Sequence, residues 1–166
     1  MSNYSKVIIF IVILIVFSGA VIYLHGSESS INNSMPDISS SIINGDSDYN
    51  AAVDLLNSKN YEEARNRAIS AQNNYNKSIN LLSNINVDFN LDNNDVHRNY
   101  INTLFNELEL KINATYYLLE AIDFYEYQQN SDGNDYASQA NQYMNEALEF
   151  QNARNELVKD NPDYFK

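Results

Sequence analysis

The pattern of hydrophobic and polar positions divides the chain into an apolar segment, a polar segment and a long amphipathic region. Residues 7–24 are hydrophobic apart from Ser18 and Gly19 and contain no charge. Roughly 18 helical residues span about 27 Å, close to the ~30 Å hydrocarbon thickness of a bilayer. The segment predicts a transmembrane helix, which leaves residues 1–6 as a short cytoplasmic N-terminus.

The flanks of this segment predict how it is oriented. Lys6 is the only charged side chain before residue 25, so the positive-inside rule places the N-terminus in the cytoplasm and the C-terminal part outside. Ser18-Gly-Ala20 also fits the small residues of a signal-peptide cleavage site, so secretion after cleavage near Ala20 is the alternative. Because residues 21–24 remain apolar, we favour an uncleaved signal anchor in the cell membrane.

Residues 25–46 follow as a polar segment rich in Ser and Asn, with Pro36 and Gly45 as helix breakers and no sustained period. Such composition is typical of flexible linkers. We predict a stalk between the membrane and the amphipathic region.

The amphipathic region, residues 47–160, shows apolar residues spaced by threes and fours, which predicts four helices. Their expected bounds are residues 47–59, 61–83, 95–129 and 135–158, with a polar loop over residues 84–94. Ser131-Asp-Gly-Asn134 is the clearest break, and Pro162 ends the last helix before a tail at residues 161–166. The first two helices are expected to bury Tyr49, Ala52, Val53, Leu56, Ala64, Ala68, Ala71, Tyr75, Ile79 and Leu82. The last two are expected to bury Ile101, Leu104, Leu108, Ile112, Thr115, Leu119, Ile122, Ala140, Tyr143, Ala147, Phe150 and Leu157.

Short connections between long amphipathic helices favour antiparallel neighbours. The fold class is therefore all-α: an N-terminal transmembrane helix followed by an extracytoplasmic antiparallel helical bundle or stacked helical hairpins. The continuous apolar stripes would also allow self-association as a coiled coil.

One short stretch resembles a known helical repeat. Tyr61-Glu-Glu-Ala64, with Ala68 and Ala71, looks like the middle of a tetratricopeptide repeat. Ala52 stands where that family has glycine, Asn76 stands where it has proline, and no period of about 34 residues runs through the chain. The resemblance implies a helical hairpin and binding of a peptide or protein on a concave face.

Charge and cysteine content exclude several classes of partner and site. The chain has 10 Lys and Arg against 22 Asp and Glu, a net charge of −12, and no cysteine. An acidic surface repels nucleic-acid phosphates, so we expect no nucleic-acid partner. Without cysteine there is neither a disulfide nor a thiolate metal site.

Candidate chemistry is sparse. Asp88, Asn90 and Asp92 match the first ligands of an EF-hand calcium loop, but Asn93 replaces its glycine and Asn99 its final carboxylate. A solvated acidic loop explains these residues better. His97 has no second histidine nearby in sequence and is expected to face solvent, and pairs such as Glu107 and Glu109 are interpreted as solvated helix faces. We expect neither an enzyme nor a bound cofactor or metal.

Tyrosine is the residue type that most suggests binding. The chain has 13 tyrosines, and Tyr116, Tyr117, Tyr125 and Tyr127 place aromatic rings on several faces of the third helix. Because packing buries only one or two faces, some of these rings should lie at an interface. Asn32, Asn76 and Asn113 begin N-glycosylation sequons on the predicted outer side.

Three functions remain open. The first is a membrane-tethered interaction module that binds a protein or envelope partner through an exposed aromatic face. The second is a self-associating structural spacer in a cell-surface assembly. The third is an extracytoplasmic sensor or solute-binding domain, which is weakened because only six residues precede the predicted span.

Overall fold

The computed structural model describes residues 29–89 and 95–165, and this part of the chain is helical without a strand. Four helices follow one another: α1 is Ser29–Asn57, α2 is Tyr61–Phe89, α3 is Asp95–Glu126 and α4 is Asn130–Asp160. A 3-10 turn at Pro162–Tyr164 ends the described chain. The prediction of an all-α fold with four helices in the amphipathic region is confirmed.

The four helices form two antiparallel hairpins that pack on each other. Asp48 of α1 bonds Arg67 of α2, whereas Ser78, further along α2, donates to the carbonyl of Ile38, nearer the start of α1. The contact between α3 and α4 is just as extensive as that between α1 and α2. The two hairpins meet where α2 packs on α3. α1 meets α3 only locally. α3 therefore lies at the centre of the packing.

The same turn joins both hairpins. Lys59 and Gln128, which are 69 positions apart, both have the left-handed backbone conformation, with φ of 62° and 60°. The amide of each donates to the carbonyl three residues earlier, Leu56 and Tyr125 respectively. The residue after each donates to the carbonyl five residues earlier. The two turns thus end their helices in the same way.

The 69-residue offset extends along both hairpins as a burial pattern. α2 buries Ala64, Ala68, Ala71, Tyr75, Ser78 and Leu82, and α4 buries Gly133, Ala137, Ala140, Met144, Ala147 and Gln151. Each member of the first set lies 69 residues before the corresponding member of the second. All buried positions of α1 except Ser41 likewise correspond to buried positions of α3. The described chain is therefore a tandem pair of structurally equivalent hairpins.

The predicted stalk, residues 25–46, is wrong from Ser29 onward, because α1 begins there. Met35, Ile38 and Ile42 have helical spacing and are buried in the core. Pro36 removes one backbone hydrogen bond, a cost that the buried apolar face of this long helix outweighs. Residues 25–28 of the predicted stalk lie outside the described residues.

Gly45 is required by packing rather than by a break in the helix. A Cβ atom at this position would lie 2.6 Å from Cε1 of Tyr75, so only glycine lets that ring approach α1. Gly133 has a similar role, since its Cβ would lie 3.0 Å from the ring of Tyr125. The predicted break at Ser131-Asp-Gly-Asn134 is accordingly the first turn of α4, and the real turn comes earlier, at residues 127–129.

One other predicted boundary needs correction, and the predicted tail has a packing role. α2 continues to Phe89, so the first part of the loop expected over residues 84–94 is helical. The expected tail packs onto α3: Phe165 is buried, and its ring centroid lies 5.3 Å from that of Tyr100. The C-terminal segment thus completes the core at the start of α3.

The predicted membrane span, residues 7–24, and the N-terminus before it lie outside the described residues. Among the helices that the structure does describe, none combines the length and the apolar character needed to cross a membrane.

We expect Gly45→Ala to lower the free energy of unfolding by about 1–2 kcal/mol, because overpacking against Tyr75 outweighs the gain in helix propensity. Urea unfolding of the full chain, followed by circular dichroism, measures this. Ser40→Ala, at an exposed position of the same helix, is the control and should change stability by less than about 0.5 kcal/mol. A Gly45→Ala protein as stable as the wild type would contradict the packing role of Gly45.

Candidate functional site: a buried ion network and a tyrosine face

Charged residues from three helices meet inside the structure and form what we call the ion network: Asp46, Glu107, Lys111 and Arg154. The Lys111 side chain is 0% exposed, and its Nζ lies 2.9 Å from Oδ1 of Asp46 and 2.9 Å from Oε1 of Glu107. Arg154 Nε lies 2.9 Å from the other oxygen of Glu107. Two carboxylates and two cations balance each other's charge, as burial requires.

Uncharged side chains complete the network and connect it to α2, the helix that contributes none of its four charged residues. Tyr75 of α2 donates a hydrogen bond of 2.8 Å to Oδ1 of Asp46. Lys111 also donates to Gln151 Oε1 of α4, at 3.3 Å. Its Nζ lies 5.8 Å from the Tyr75 ring centroid, and Arg154 lies 5.7 Å from that of Tyr100. Each cation therefore has both a carboxylate and a tyrosine ring beside it.

The pKa values of the network follow from burial and pairing. Burial favours the neutral form of Glu107, but Lys111 and Arg154 outweigh this effect and hold its pKa below the ordinary value. Burial likewise favours neutral Lys111, yet Glu107 and Asp46 raise its pKa above the ordinary value. Both groups therefore stay charged at neutral pH, and the network acts as a set of fixed ion pairs.

The interpretation of Glu107 and Glu109 as a solvated pair is wrong for Glu107, which is buried. Lys111 was also missed, although it follows Leu104 by seven residues and precedes Leu118 by seven, on the buried stripe. The first hairpin has Ile38 and Ile42 at the equivalent positions.

The second candidate site is a row of aromatic rings along the outer seam between α3 and α4, which we call the tyrosine ladder: Phe124, Tyr136, Tyr117 and Tyr143. The rings of Tyr117 and Tyr143 stack with centroids 5.2 Å apart and planes 12° apart. Phe124 and Tyr136 stack at 4.9 Å and 14°. Tyr136 and Tyr117 are 6.1 Å apart and join the two stacks. All four rings are half-buried, so the seam exposes part of a continuous aromatic surface.

The first hairpin has a polar cluster at the same place. Tyr117, Tyr136 and Tyr143 lie 69 residues after Asp48, Arg67 and Asn74. Asp48 accepts hydrogen bonds from Arg67 at 2.9 Å, from Ser70 at 2.6 Å and from Asn74 at 3.4 Å. One hairpin geometry is thus compatible with either a polar or an aromatic seam, so the fold alone does not require the ladder.

The tyrosines expected to form an interaction face divide into three groups. Tyr116 is 51% exposed at the edge of the ladder, its ring 5.4 Å from that of Tyr117, and Tyr127 is 75% exposed in the turn before α4. Tyr117 belongs to the ladder itself. Tyr125 does not face solvent: it is buried and donates a hydrogen bond of 2.7 Å to Asn134. That prediction is wrong because Tyr125 packs on Gly133 across the hairpin.

Three ring positions of the ladder were not selected from the sequence. Tyr143 was expected in the core, and neither Phe124 nor Tyr136 was predicted to lie at an interface. The available signal is the spacing: Tyr117 and Phe124 are seven residues apart, as are Tyr136 and Tyr143. Two such pairs on antiparallel helices lie on facing stripes.

Carboxylates lie beside the rings of this seam. Glu120 is one helical turn from Tyr116 and raises the pKa of the Tyr116 hydroxyl above its ordinary value. Tyr117 is the largest cause of the raised pKa of Tyr143, and burial and the charge of Glu146 act in the same direction. The hydroxyls of Tyr116 and Tyr143 therefore remain neutral hydrogen-bonding groups.

The other candidate residues are not brought together. The side chain of Asp88 and the whole of Asn90 and Asp92 lie outside the described residues, and no group of three potential metal ligands occurs within residues 29–89 and 95–165. His97 is buried rather than solvent-facing, with its Nε2 3.0 Å from the carbonyl oxygen of Tyr164. It fixes the C-terminal segment to α3.

The sequons are placed on helices. Asn76 and Asn113 are exposed, whereas Ser78 and Thr115, the hydroxyl residues of their sequons, are buried. The side chain of Asn32 lies outside the described residues.

We expect Lys111→Met to lower the free energy of unfolding by about 3–5 kcal/mol, because it leaves two carboxylates buried beside a single cation. Chemical unfolding of the full chain measures the loss. Lys77→Met, at an exposed position of α2, serves as control. If both substitutions cost the same, Lys111 does not have the energetic role that its burial assigns to it.

Stability should also depend on the protonation of Glu107. Because its pKa is lower in the folded state, the stabilisation is present above the ordinary glutamate pKa of about 4.3 and is lost as the pH falls toward the folded-state value. Unfolding free energies measured between neutral and acidic pH should therefore fall less steeply in Glu107→Gln than in the wild type. The control is Glu109→Gln, which removes an exposed carboxylate from the same helix. Equal changes in both variants would contradict this assignment.

Comparisons of the chain with protein-family models, curated proteins and solved structures find no match. Its function is therefore inferred from the ion network and the tyrosine ladder themselves.

Proposed function

We propose that this chain is a membrane-tethered, extracytoplasmic interaction module that binds a protein partner through the tyrosine ladder of its second hairpin. The observation that supports this most strongly is the comparison within the chain. Equivalent positions on the first hairpin have Asp48, Arg67 and Asn74, and the hairpin folds in the same way. A row of half-buried rings, at positions where the other hairpin has polar side chains, is best explained by a contact outside the fold.

The ladder has the physical properties of a binding surface. Stacked rings have few accessible rotamers, so a partner that covers them loses little conformational entropy on binding. Their exposed edges offer apolar area and their hydroxyls offer hydrogen bonds. Tyr116, at 51% exposure, extends this surface toward solvent. The ladder is thus a rigid aromatic anchor, the kind of group that contributes most to protein interfaces.

The position of α1 and the sequence before it together support a tether to the membrane. α1 begins at Ser29, and the apolar segment predicted to span the membrane ends at residue 24. A module attached through so few residues would work close to the membrane surface, on partners in the same membrane or at its surface. The resemblance of Tyr61-Glu-Glu-Ala64 to a tetratricopeptide hairpin is consistent with protein binding.

The test is photo-crosslinking in the cells that make the protein. A photoreactive phenylalanine analogue replaces Tyr116 in one variant and Ser47, its exposed equivalent on the first hairpin, in another. We expect a heteromeric adduct from position 116 and none from position 47. Both variants keep the ladder and the polar cluster intact, so they differ only in which seam is probed.

A second variant tests the ladder itself. Tyr117→Asp, Tyr136→Arg and Tyr143→Asn together give the second hairpin three of the four residues that form the polar cluster of the first. The adduct from position 116 should fall at least about tenfold, while helicity and melting temperature stay close to wild type because the first hairpin folds with these residues. An adduct of two copies of this chain would instead support the structural-spacer function. Equal adducts from both seams would contradict the proposal.

A further inference from the structure

Basic residues are missing from the part of the chain that forms the tyrosine ladder. Residues 112–153 contain no Lys, Arg or His, and their seven acidic residues are Glu120, Asp123, Glu126, Asp132, Asp135, Glu146 and Glu149. Arg65 of α2 forms salt bridges with Asp123 and Glu126. The other five form no salt bridge among the described residues. The surface around the ladder is therefore negative.

Several of these carboxylates are neighbours of specific rings. Glu120 lies four residues after Tyr116, Asp132 four residues before Tyr136, and Glu146 three residues after Tyr143. In a helix these spacings put side chains on the same face. Each of the three tyrosines thus has a carboxylate beside its ring.

The interior of the same protein shows what such a pair binds. Asp46 and Tyr75 contact Lys111, and Glu107 and Tyr100 contact Arg154, so each buried cation has a carboxylate and a ring. On the first hairpin, Arg67 supplies the cation for the Asp48 cluster, at the position equivalent to Tyr136. The seam of the ladder has rings and carboxylates, but the chain supplies no cation there.

We infer that the partner supplies this cation, and that the segment bound to the ladder is basic, with Lys or Arg side chains lying over the exposed ring of Tyr116 and against the exposed parts of the stacked rings, between the carboxylates. A cation over a tyrosine ring is attracted by the negative face of the ring, and a neighbouring carboxylate adds to that attraction. This inference rests on the proposed function and specifies the chemistry of the partner. A neutral or acidic segment would leave the five carboxylates without countercharge.

The experiment uses the full chain in a mild detergent and two fluorescein-labelled nonapeptides. One alternates arginine and glycine. In the other, citrulline replaces arginine, which keeps the shape and hydrogen-bonding groups but removes the charge. Fluorescence anisotropy at about 0.15 M salt, where screening is strong beyond about 8 Å, measures binding. We expect the arginine peptide to bind at least about tenfold more tightly than the citrulline peptide.

Two protein variants locate the binding site. The exchange of Tyr117, Tyr136 and Tyr143 for Asp, Arg and Asn leaves the net charge of the chain unchanged. We expect it to weaken binding of the arginine peptide about tenfold, which would show that the rings contribute to the affinity. Glu120→Gln with Glu146→Gln keeps the rings and removes two charges, and should weaken binding about two- to fivefold. Tyr116→Ser, which copies the exposed Ser47 of the first hairpin, gives the same comparison should the triple exchange unfold.

The outcomes separate this inference from the proposed function. Equal binding of the two peptides, or equal binding to wild type and ring variants, overturns the inference that the partner segment is basic. If the photo-adduct from position 116 forms while the arginine peptide does not bind, the interaction module stands and only the chemistry of the partner is wrong. If neither is observed, both proposals fail.

Discussion

The burial of the Lys111 ammonium group is the constraint on which the arrangement of the helices depends. An ammonium ion removed from water needs acceptors on several sides, and these come from different helices: Asp46 from α1, Glu107 from α3 itself and Gln151 from α4. Tyr75 of α2 holds Asp46 in place. Stripes of alanine can slide past each other at little cost, but these bonds exist in a single register. The network therefore selects one docking of the two hairpins.

Because the buried ion network fixes how the hairpins dock, the side chains along their outer seams can differ. On the first hairpin the seam is closed by hydrogen bonds within the chain, centred on Asp48. On the second, the rings of Tyr117 and Tyr143 and those of Phe124 and Tyr136 stack on each other. The contrast separates the buried stripes, which pack the helices together, from the outer seams, where the two hairpins have different side chains. It also explains why residues of one type, tyrosine, have opposite roles in this chain: Tyr75 and Tyr125 fill the core, and Tyr117 and Tyr143 face outward.

Sequence patterns predicted the features that depend on simple spacing. The stripe Ala64, Ala68 and Ala71 was placed correctly because small residues three or four apart indicate a close helix contact. The first half of α1 was missed because Pro36 and Gly45 have the same appearance in a linker as in a helix. Only the Tyr75 ring, distant in sequence, shows why Gly45 is glycine.

Charged residues and tyrosines were harder still. Glu107 was assigned to solvent because a charge on a helix is usually solvated, and Lys111 was not considered. The burial of both depends on partners 40 to 65 residues away. The hairpin repeat was invisible for a related reason. The two hairpins share the positions that are buried, whereas the residue types at most of those positions differ between them.

This equivalence of the two hairpins has a consequence for how the chain tolerates change. Two copies of one architecture within a single polypeptide can be altered independently, because the packing that one copy keeps does not constrain the surface of the other. Each seam shows one set of residues that the shared backbone geometry accepts. The first hairpin thus serves as an internal reference with which the surface of the second hairpin can be compared.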